Sequence, residues 1–340
     1  MHRCALRKEN MFMKKIRWGI VGPGNIANKF AVAIKNVECA ELAAVAARSM
    51  EKGSEFAARY GIPKVFGGYD AMAASDEVDA VYIATPHPFH KPCAELCLKA
   101  GKHVLCEKPL CINEAQAVAL KECAKEHGVF LMEAMWTRFL PAVKEACAIV
   151  ASGAIGEVMG LTADFCYAST PLEESKIFQN DMAGGSLLDV GVYGLHFASL
   201  FLGTAPERIH ADAWIKYDVD CHTKILLQYA NGAIAEVSSA ISLEKPESAY
   251  IYGTKGHIYL PQFYGAKELF VTIDGKEEHL LRPGIGDGFE EEIIEACSCI
   301  SAGKLESDVL PLSESIAIIR QMDSIRRQIG VRYPLEGEMV

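Results

Sequence analysis

The sequence of 340 residues predicts an α/β fold, in which a doubly wound parallel sheet is followed by an α+β domain with a mainly antiparallel, open sheet. Up to about residue 134, short apolar segments alternate with helical ones, which is typical of parallel strands joined by crossover helices. Beyond that point several strands follow one another, and Asn231-Gly232 and Asp274-Gly275 are strong hairpin signals. Hydrophobic residues make up 50% and charged residues 23%, which excludes a disordered or collagen-like chain.

The N-terminal part is predicted as six strands and four helices. The strands lie at 16–21, 41–47, 64–66, 79–84, 103–106 and 129–132. Their apolar side chains do not alternate with polar ones, and such strands are buried on both faces of a sheet. Helices are predicted at 25–36, 52–60, 91–100 and 113–127, and the second and third end at Gly61 and Gly101.

The remaining sequence is predicted as helix, strand and helix at 141–152, 158–167 and 186–202. A run of antiparallel strands then extends from 207 to 282, and helical spacing returns at 287–302 and 313–329. We therefore expect a loose extension at 1–12, a first domain at 13–134 and a second, α+β domain at 135–340.

The net charge and the cysteine content limit the classes of binding partner and the cellular location that we expect. The 34 basic and 44 acidic side chains leave a net charge of −10, which argues against binding to a nucleic-acid backbone. We expect no membrane span, since no apolar segment of 18 residues without a charge is evident. The twelve cysteines form no CxxC pair, so we expect no metal site but reduced, packed thiols and a cytoplasmic location.

A glycine-rich turn follows the first strand and precedes the first helix. Its sequence has the form G-x-G-x-x-A, with Gly22 for the tight turn and Gly24 for close approach of the backbone to a pyrophosphate. The small side chain of Ala27 allows the helix to pack on the strand. In this context the motif predicts a Rossmann domain that binds a dinucleotide through Gly22, Gly24, Asn25, Ile26 and Ala27.

The end of the second strand indicates which dinucleotide binds. NAD-specific folds place an acid there for the ribose 2′-hydroxyl, but Ala47-Arg48-Ser49 contains none. Arg48 would instead pair with a 2′-phosphate, and Ser49 would donate a hydrogen bond to it. The sequence thus favours NADP; NAD stays open, as does a solvated Arg48 at a helix start.

Two further segments follow strands at the carboxyl edge of the sheet, where ligands bind in open α/β folds. The segment after the fourth strand supplies Thr85, Pro86, His87 and His90 as candidates for contact with cofactor or substrate. Glu107 and Lys108 follow the fifth strand, and both are expected beside the cofactor. A lysine there can donate to a carbonyl or alkoxide oxygen, and we expect burial to lower its pKa.

The helix at 186–202 carries polar groups among apolar ones. Asp189, Tyr193 and His196 lie at i, i+4 and i+7, so they share one helix face. They are either functional or a buried, hydrogen-bonded trio. Trp136 and Arg138, at the expected domain junction, either line a ligand cleft or pack the junction.

Four segments in this order, GIVGPGNIA, ATPHPFH, EKP and GGSLLDVGVY, resemble the glucose–fructose oxidoreductase/inositol dehydrogenase (Gfo/Idh/MocA) superfamily over about residues 14–335. Within it, VLCEKP, LMEAMWTRFLPA and IRRQIGVRYP are most similar to the branch of dihydrodiol dehydrogenases and NADP-dependent D-xylose dehydrogenases. Many members have His where this sequence has Tyr193, but the dihydrodiol branch has Tyr.

The resemblance implies an NADP-dependent oxidoreductase that transfers a hydride between the nicotinamide and a carbinol carbon of a sugar or cyclic trans-diol. It implies that Lys108 and Tyr193 are the proton-transfer pair, with Tyr193 as the base in oxidation and Lys108 lowering its pKa; the reverse assignment stays open. The substrate residues it implies are Asp189, His90, Trp136, Phe165 and, in a supporting role, Arg138.

The resemblance also implies that residues 135–340 bind the substrate and form a homodimer or larger assembly through the open sheet. Three alternatives remain open. One is an NAD(P)-dependent inositol or other polyol dehydrogenase, and another is a redox-cycling lyase or glycosidase that retains its cofactor. The last is a nucleotide-sensing protein without enzymatic activity.

Overall fold

The structure, a computed structural model, describes residues 15–170 and 175–334, so the expected extension at 1–12 lies outside the described residues. Its first sheet has six parallel strands in the order β3-β2-β1-β4-β5-β6. They are β1 (Ile16–Val21), β2 (Ala40–Ala46), β3 (Lys64–Phe66), β4 (Ala80–Ile83), β5 (His103–Glu107) and β6 (Leu131–Ala134). The strand order reverses between β1 and β4, which creates a crevice at their carboxyl ends.

Five helices belong to this sheet: α1 (Asn25–Ala33), α2 (Met50–Tyr60), α3 (Tyr69–Ala73), α4 (His90–Lys99) and α5 (Glu114–His127). Every residue of β4 is buried, as its uninterrupted apolar sequence predicts. The core contains an aromatic stack in which the rings of Phe30 and Tyr82 are 4.0 Å apart and nearly parallel. Strand and helix positions thus confirm the predicted parallel α/β fold.

The second sheet has eight strands in the order β14-β13-β12-β11-β7-β10-β9-β8. They are β7 (Val158–Cys166), β8 (Arg208–Lys216), β9 (Val219–Gln228), β10 (Ile234–Ala240), β11 (Ser248–Gly253), β12 (Gly256–Pro261), β13 (Glu268–Ile273) and β14 (Lys276–Leu281). All neighbours are antiparallel except β7 and β10, which are parallel. The mainly antiparallel sheet is therefore confirmed.

Four more helices complete the described structure: α6 (Pro141–Ala151), α7 (Val192–Leu202), α8 (Phe289–Ser301) and α9 (Leu312–Ile329). A π-helical turn, Leu187–Gly191, leads into α7, and α7 packs on β7 and β10. Helix α9 contacts both α5 and β8, and α8 contacts α1. The C-terminal helices therefore join the two sheets rather than belonging to the second one alone.

Some predicted boundaries are wrong for local reasons. Strand β6 begins two residues later than expected, because the Phe130 amide donates to the His103 side chain. The short helix α3 has too few residues to show a helical period, and the sequence analysis missed it. The helix predicted at 25–36 ends at Ala33 and continues as one 3₁₀ turn.

The segment 180–202 is long and apolar enough to cross a membrane by length and composition. Within the fold, however, 78% of this stretch is buried, as in the core helix of a folded domain.

Candidate active site

The candidate site lies where the carboxyl ends of β1, β4, β5 and β6 meet. Gly22 has φ +85°, and a Cβ there would lie 3.0 Å from Thr85 Cγ2, so the turn requires glycine. Gly24 caps α1 without a side-chain hydrogen bond, so no side chain competes with a ligand for the first helical amides. Ala27 is fully buried under the turn. These features fit a dinucleotide pyrophosphate.

The end of β2 lies beside this turn. Arg48 is exposed, and Ser49 caps α2, since its Oγ accepts a hydrogen bond from the Lys52 amide at 3.3 Å. Tyr69, at the start of α3, is close enough to Arg48 for its pKa to be affected by the guanidinium. An arginine, a serine and an aromatic ring therefore border the place where the ribose of a dinucleotide would lie.

Lys108 and Asp189 form the polar centre of the site. Lys108 Nζ donates to the Asp189 backbone oxygen at 2.7 Å and to its carboxylate Oδ1 at 3.3 Å. Tyr167 donates to the other carboxylate oxygen of Asp189 at 2.6 Å. The ammonium lies 5.1 Å from the centre of the Tyr193 ring. The structure thus brings Lys108, Asp189 and Tyr193 together.

Aromatic side chains surround Tyr193. Trp136 Nε1 donates to the Tyr193 hydroxyl at 3.2 Å, and the Trp136 ring stacks on Phe289 with centroids 4.8 Å apart. Phe165 lies 5.3 Å from the Tyr193 ring and stacks on Tyr264 at 4.0 Å. Such a wall suits a ring-shaped ligand with one polar edge directed at Lys108.

The pKa values of Lys108 and Tyr193 differ from those predicted from the sequence. Burial alone would lower the pKa of Lys108, but Tyr193, Asp189 and Glu107 together raise it above its usual value. Burial raises the pKa of Tyr193 to about 12, and the nearby Lys108 offsets only part of this. The expected lowering of both pKa values was therefore wrong, because the site is closed and rich in negative charge. At neutral pH it holds a charged lysine and a neutral phenol.

The two histidines have different surroundings. His90 is 1% exposed, and its ring nitrogens lie 2.8 Å from the backbone oxygens of Pro109 and Thr85. Both nitrogens therefore brace two loops of the site, and the contacts predicted for His90 with cofactor and substrate stay a prediction. His87 lies close to Lys108 and Asp189, and burial lowers its pKa to about 4. Its Nδ1 contacts the Ala183 backbone oxygen at 3.1 Å.

Two other predicted site residues are held by the protein. Arg138 is buried, pairs with Glu314 at 2.6 Å and donates to the Ser199 hydroxyl, so it supports the fold behind the site; its contact with the substrate stays a prediction. Glu107 is 5% exposed, and its carboxyl group accepts hydrogen bonds from the Tyr82 hydroxyl and the Lys108 amide. The cofactor contact predicted for Glu107 stays a prediction.

The trio predicted on one helix face is divided. Asp189 lies in the π-helical turn and Tyr193 in α7, and both are beside Lys108. His196 is buried and lies 3.3 Å from Glu133 instead. A π-helical turn shifts the phase of the residues that follow it, which the regular spacing does not reveal.

Sequence reasoning missed Tyr167, Tyr264 and Phe289. Tyr167 follows Phe165 by two residues, so strand alternation places both on one face and was a usable signal. Tyr264 lies in a 3₁₀ turn and Phe289 begins α8, both far along the chain, and no local pattern identifies them. In the described ranges, no group of three or more His, Cys, Asp or Glu side chains is placed to hold a metal ion, and the eleven cysteines there are free.

Comparisons with known proteins agree with this geometry. Residues 16–135 match the model of the "oxidoreductase family, NAD-binding Rossmann fold", and residues 143–259 match the "GFO/IDH/MocA C-terminal domain". The chain is 36% identical over 331 residues to the trans-1,2-dihydrobenzene-1,2-diol dehydrogenase of Mus musculus, covering 94% of this chain and 98% of the relative. The enzyme of the same name from Homo sapiens is 35% identical over 332 residues, with the same coverage.

Solved structures are similar over most of the chain. The 3-ketoreductase KijD10 from Actinomadura kijaniata, in complex with NADP and TDP-benzene, has a TM-score of 0.85 and 27% identity, covering 93% of this chain and 98% of that chain. The aldose-aldose oxidoreductase from Caulobacter crescentus, complexed with glycerol, has a TM-score of 0.85 and 25% identity, covering 93% and 97%.

Proposed function

We propose that this chain, which belongs to the GFO/IDH/MocA oxidoreductase family, transfers a hydride between NADP and a carbinol carbon of a sugar or cyclic trans-diol. That it is an NAD(P)-binding dehydrogenase acting on CH–OH groups follows from its relatives. The observation that carries the finer proposal is the contact of Lys108 with Asp189 beside Tyr193, next to the glycine turn.

The chemistry proposed for the site is proton transfer at the substrate oxygen. When bound, the nicotinamide supplies the hydride chemistry. In oxidation the phenolate of Tyr193, formed after the phenol has lost its own proton to solvent, takes the hydroxyl proton, and Lys108 holds the oxygen; the exchange of these two roles is the alternative assignment. Asp189 fixes the Lys108 ammonium, and Trp136 orients the Tyr193 hydroxyl by donating to it.

The preference for NADP rests on Arg48 and Ser49. The exposed guanidinium would pair with a 2′-phosphate, which NAD lacks, and no acid at 47–49 is present for a free 2′-hydroxyl. The complex of the related ketoreductase with NADP supports this choice.

The substrate class is supported by the aromatic wall and by the relatives. Dihydrodiol dehydrogenases act on a cyclic trans-diol by their name, and the half-buried rings of Trp136 and Phe165 beside Tyr193 suit such a molecule. A second candidate is hydride exchange between two sugars with a retained nucleotide, which the aldose-aldose oxidoreductase supports.

We also propose a homodimer or larger assembly in the cytoplasm. One face of the second sheet carries a ladder of rings, among which Tyr250 stacks on Tyr259 at 4.5 Å and Phe270 on His279 at 4.4 Å. On the same face, Trp214, Leu226 and Ile234 are exposed. A large exposed apolar patch is typical of an interface.

The test is absorbance at 340 nm with purified protein, with D-xylose or trans-dihydrobenzenediol and with NADP or NAD. A clear rate with NADP and a much smaller one with NAD supports the proposal. Absence of a rate with every pair, together with nucleotide released on denaturation, would instead support the hydride exchange with a retained cofactor.

A further inference from the structure

Glu107 is a buried acid directly before Lys108, at the end of β5. Its side chain is 5% exposed, the Tyr82 hydroxyl donates to Oε1, and the Lys108 amide donates to Oε2 at 3.2 Å. Tyr82 is itself fixed in the core by its stack on Phe30. The carboxyl group therefore ties the backbone of Lys108 to the interior of the sheet.

The groups around Glu107 differ in how they titrate. Burial raises the pKa of Glu107 to about 7, and Lys108 and Tyr82 offset part of the effect. Glu292 of α8 is fully buried, and neither of its carboxyl oxygens has a hydrogen-bond partner among the described residues. Burial, followed by the proximity of Glu107, raises the pKa of Glu292 well above its usual range, so this group is uncharged.

Glu133 of β6 is close enough to Glu107 for its charge to raise the pKa of Glu107. Burial would raise the pKa of Glu133, but His196, Ser315 and the Leu110 amide together outweigh burial and hold the pKa below its ordinary value, so Glu133 is charged. Among Glu107, Glu133 and Glu292, only Glu107 changes its charge near neutral pH.

The charge of Glu107 affects the pKa of both members of the proposed proton-transfer pair. It raises the pKa of Lys108 and of Tyr193, in each case together with Asp189. An ionised Glu107 therefore opposes loss of a proton from either group, whereas a neutral Glu107 permits it.

We propose that Glu107 is a positioning residue that fixes Lys108 through its backbone and, when ionised, keeps the protons on Lys108 and Tyr193. This inference rests on the proton-transfer roles proposed above. It keeps the pair in the protonated form that carbonyl reduction requires, and it lowers the fraction of the deprotonated form that accepts the proton in alcohol oxidation.

The test compares the pH dependence of kcat/KM for oxidation by the wild type and by Glu107→Gln. Glutamine keeps the size and one acceptor but carries no charge. We expect the rising limb of the profile to move about one to two units to lower pH, as expected for removing one nearby charge at a partly screened site. An unmoved limb would overturn the inference.

Glu292→Gln is the matched control, because it removes an equally buried acid that is already uncharged. The rising limb of the kcat/KM profile of Glu292→Gln should stay at the wild-type position. Tyr82→Phe keeps the ring stack and removes only the donor to Glu107, so Glu107 stays neutral to higher pH but is still ionised where Tyr193 titrates, and the rising limb should stay near the wild-type position. If Glu292→Gln moved the rising limb as far as Glu107→Gln does, the inference that the charge of Glu107 controls the pair would be contradicted.

A second test measures the free energy of unfolding and does not require enzymatic activity. Because the folded-state pKa of Glu107 is raised above its ordinary 4.5 to about 7, the folded protein binds more protons than the unfolded chain between these values. Its contribution to the free energy of unfolding therefore falls as pH rises through this window and is constant above it. Glu107→Gln should remove that fall, and a difference between wild type and variant that does not change with pH would contradict the inference.

The two proposals fail in different ways. Full turnover by Lys108→Met would refute the proton-transfer pair, whatever Glu107 does. Loss of turnover in Lys108→Met with an unmoved limb in Glu107→Gln would refute only the role of Glu107.

Discussion

At the scale of single residues, the site is a network that fixes both the position and the protonation of its groups. Lys108 is held by Asp189, and Asp189 is held in turn by the Tyr167 hydroxyl. The motifs identified Lys108, Asp189 and Tyr193 because each follows a recognisable segment. Motifs do not show where a side chain points, so the contacts of His90, Arg138 and Glu107 with other parts of the protein were not predicted. They also do not show burial, which sets the pKa of Tyr193.

The residue that tests the cofactor choice is Arg48. Replacing it with Ala should weaken NADP binding by about 10- to 100-fold, since a charge-assisted hydrogen bond contributes roughly 1.5–3 kcal/mol, and should leave NAD binding nearly unchanged. Fluorescence titration of both nucleotides measures this. Lys64→Ala, which removes a cation at the amino end of β3, is the control. Equal losses for NADP and NAD in Arg48→Ala would show that Arg48 does not discriminate between them.

At the scale of elements, turn chemistry decided which hairpins were predictable. Asp274 and Gly275 both have positive φ and join β13 to β14 as a two-residue turn, as predicted. Asn231-Gly232 also lies in a hairpin, but its connection extends over residues 229–233. Tyr217 and Asp218 form another two-residue turn with positive φ, which contains no glycine and was missed. The parallel pairing of β7 with β10 joins strands far apart in sequence, so no local pattern could reveal it.

The contact of α7 with the second sheet makes a prediction at this scale. A Cβ at Gly194 would lie 2.5 Å from Val237 Cγ1, so Gly194→Ala should lower the free energy of unfolding by about 1–3 kcal/mol through overpacking. Urea unfolding measures this. The double variant Gly194→Ala/Val237→Ala should be more stable than the sum of the single effects, because the smaller side chain makes room. Strict additivity would contradict this account of the contact.

At the scale of the whole molecule, the alternation of strands and helices predicted the first sheet, and the run of strands with hairpin signals predicted the second. The arrangement of the C-terminal helices was not predictable, since the amide of Leu131 and the oxygen of Leu305 are joined by a contact that no spacing reveals. Such contacts close the molecule around the crevice and place Phe289 of α8 against Trp136.

The open sheet face predicts the assembly state. Leu226→Glu/Tyr252→Glu places two charges on this face and should convert the proposed dimer into a monomer of about the chain mass, 37.1 kDa. Light scattering after size-exclusion chromatography measures the mass. Val118→Glu, which adds a charge on the exposed side of α5, should leave the mass unchanged. A wild-type protein that elutes as a monomer would refute the proposed interface.

The central claim is that Lys108 and Tyr193 transfer the proton in an NADP-dependent reaction. Its most direct test is the turnover of wild type, Lys108→Met and Tyr193→Phe, followed at 340 nm with saturating NADP and the best substrate. Each variant should lose at least about 100-fold in kcat, the low end of general acid–base contributions, and should bind NADP as the wild type does. Turnover within a few-fold of wild type in both variants would contradict the claim.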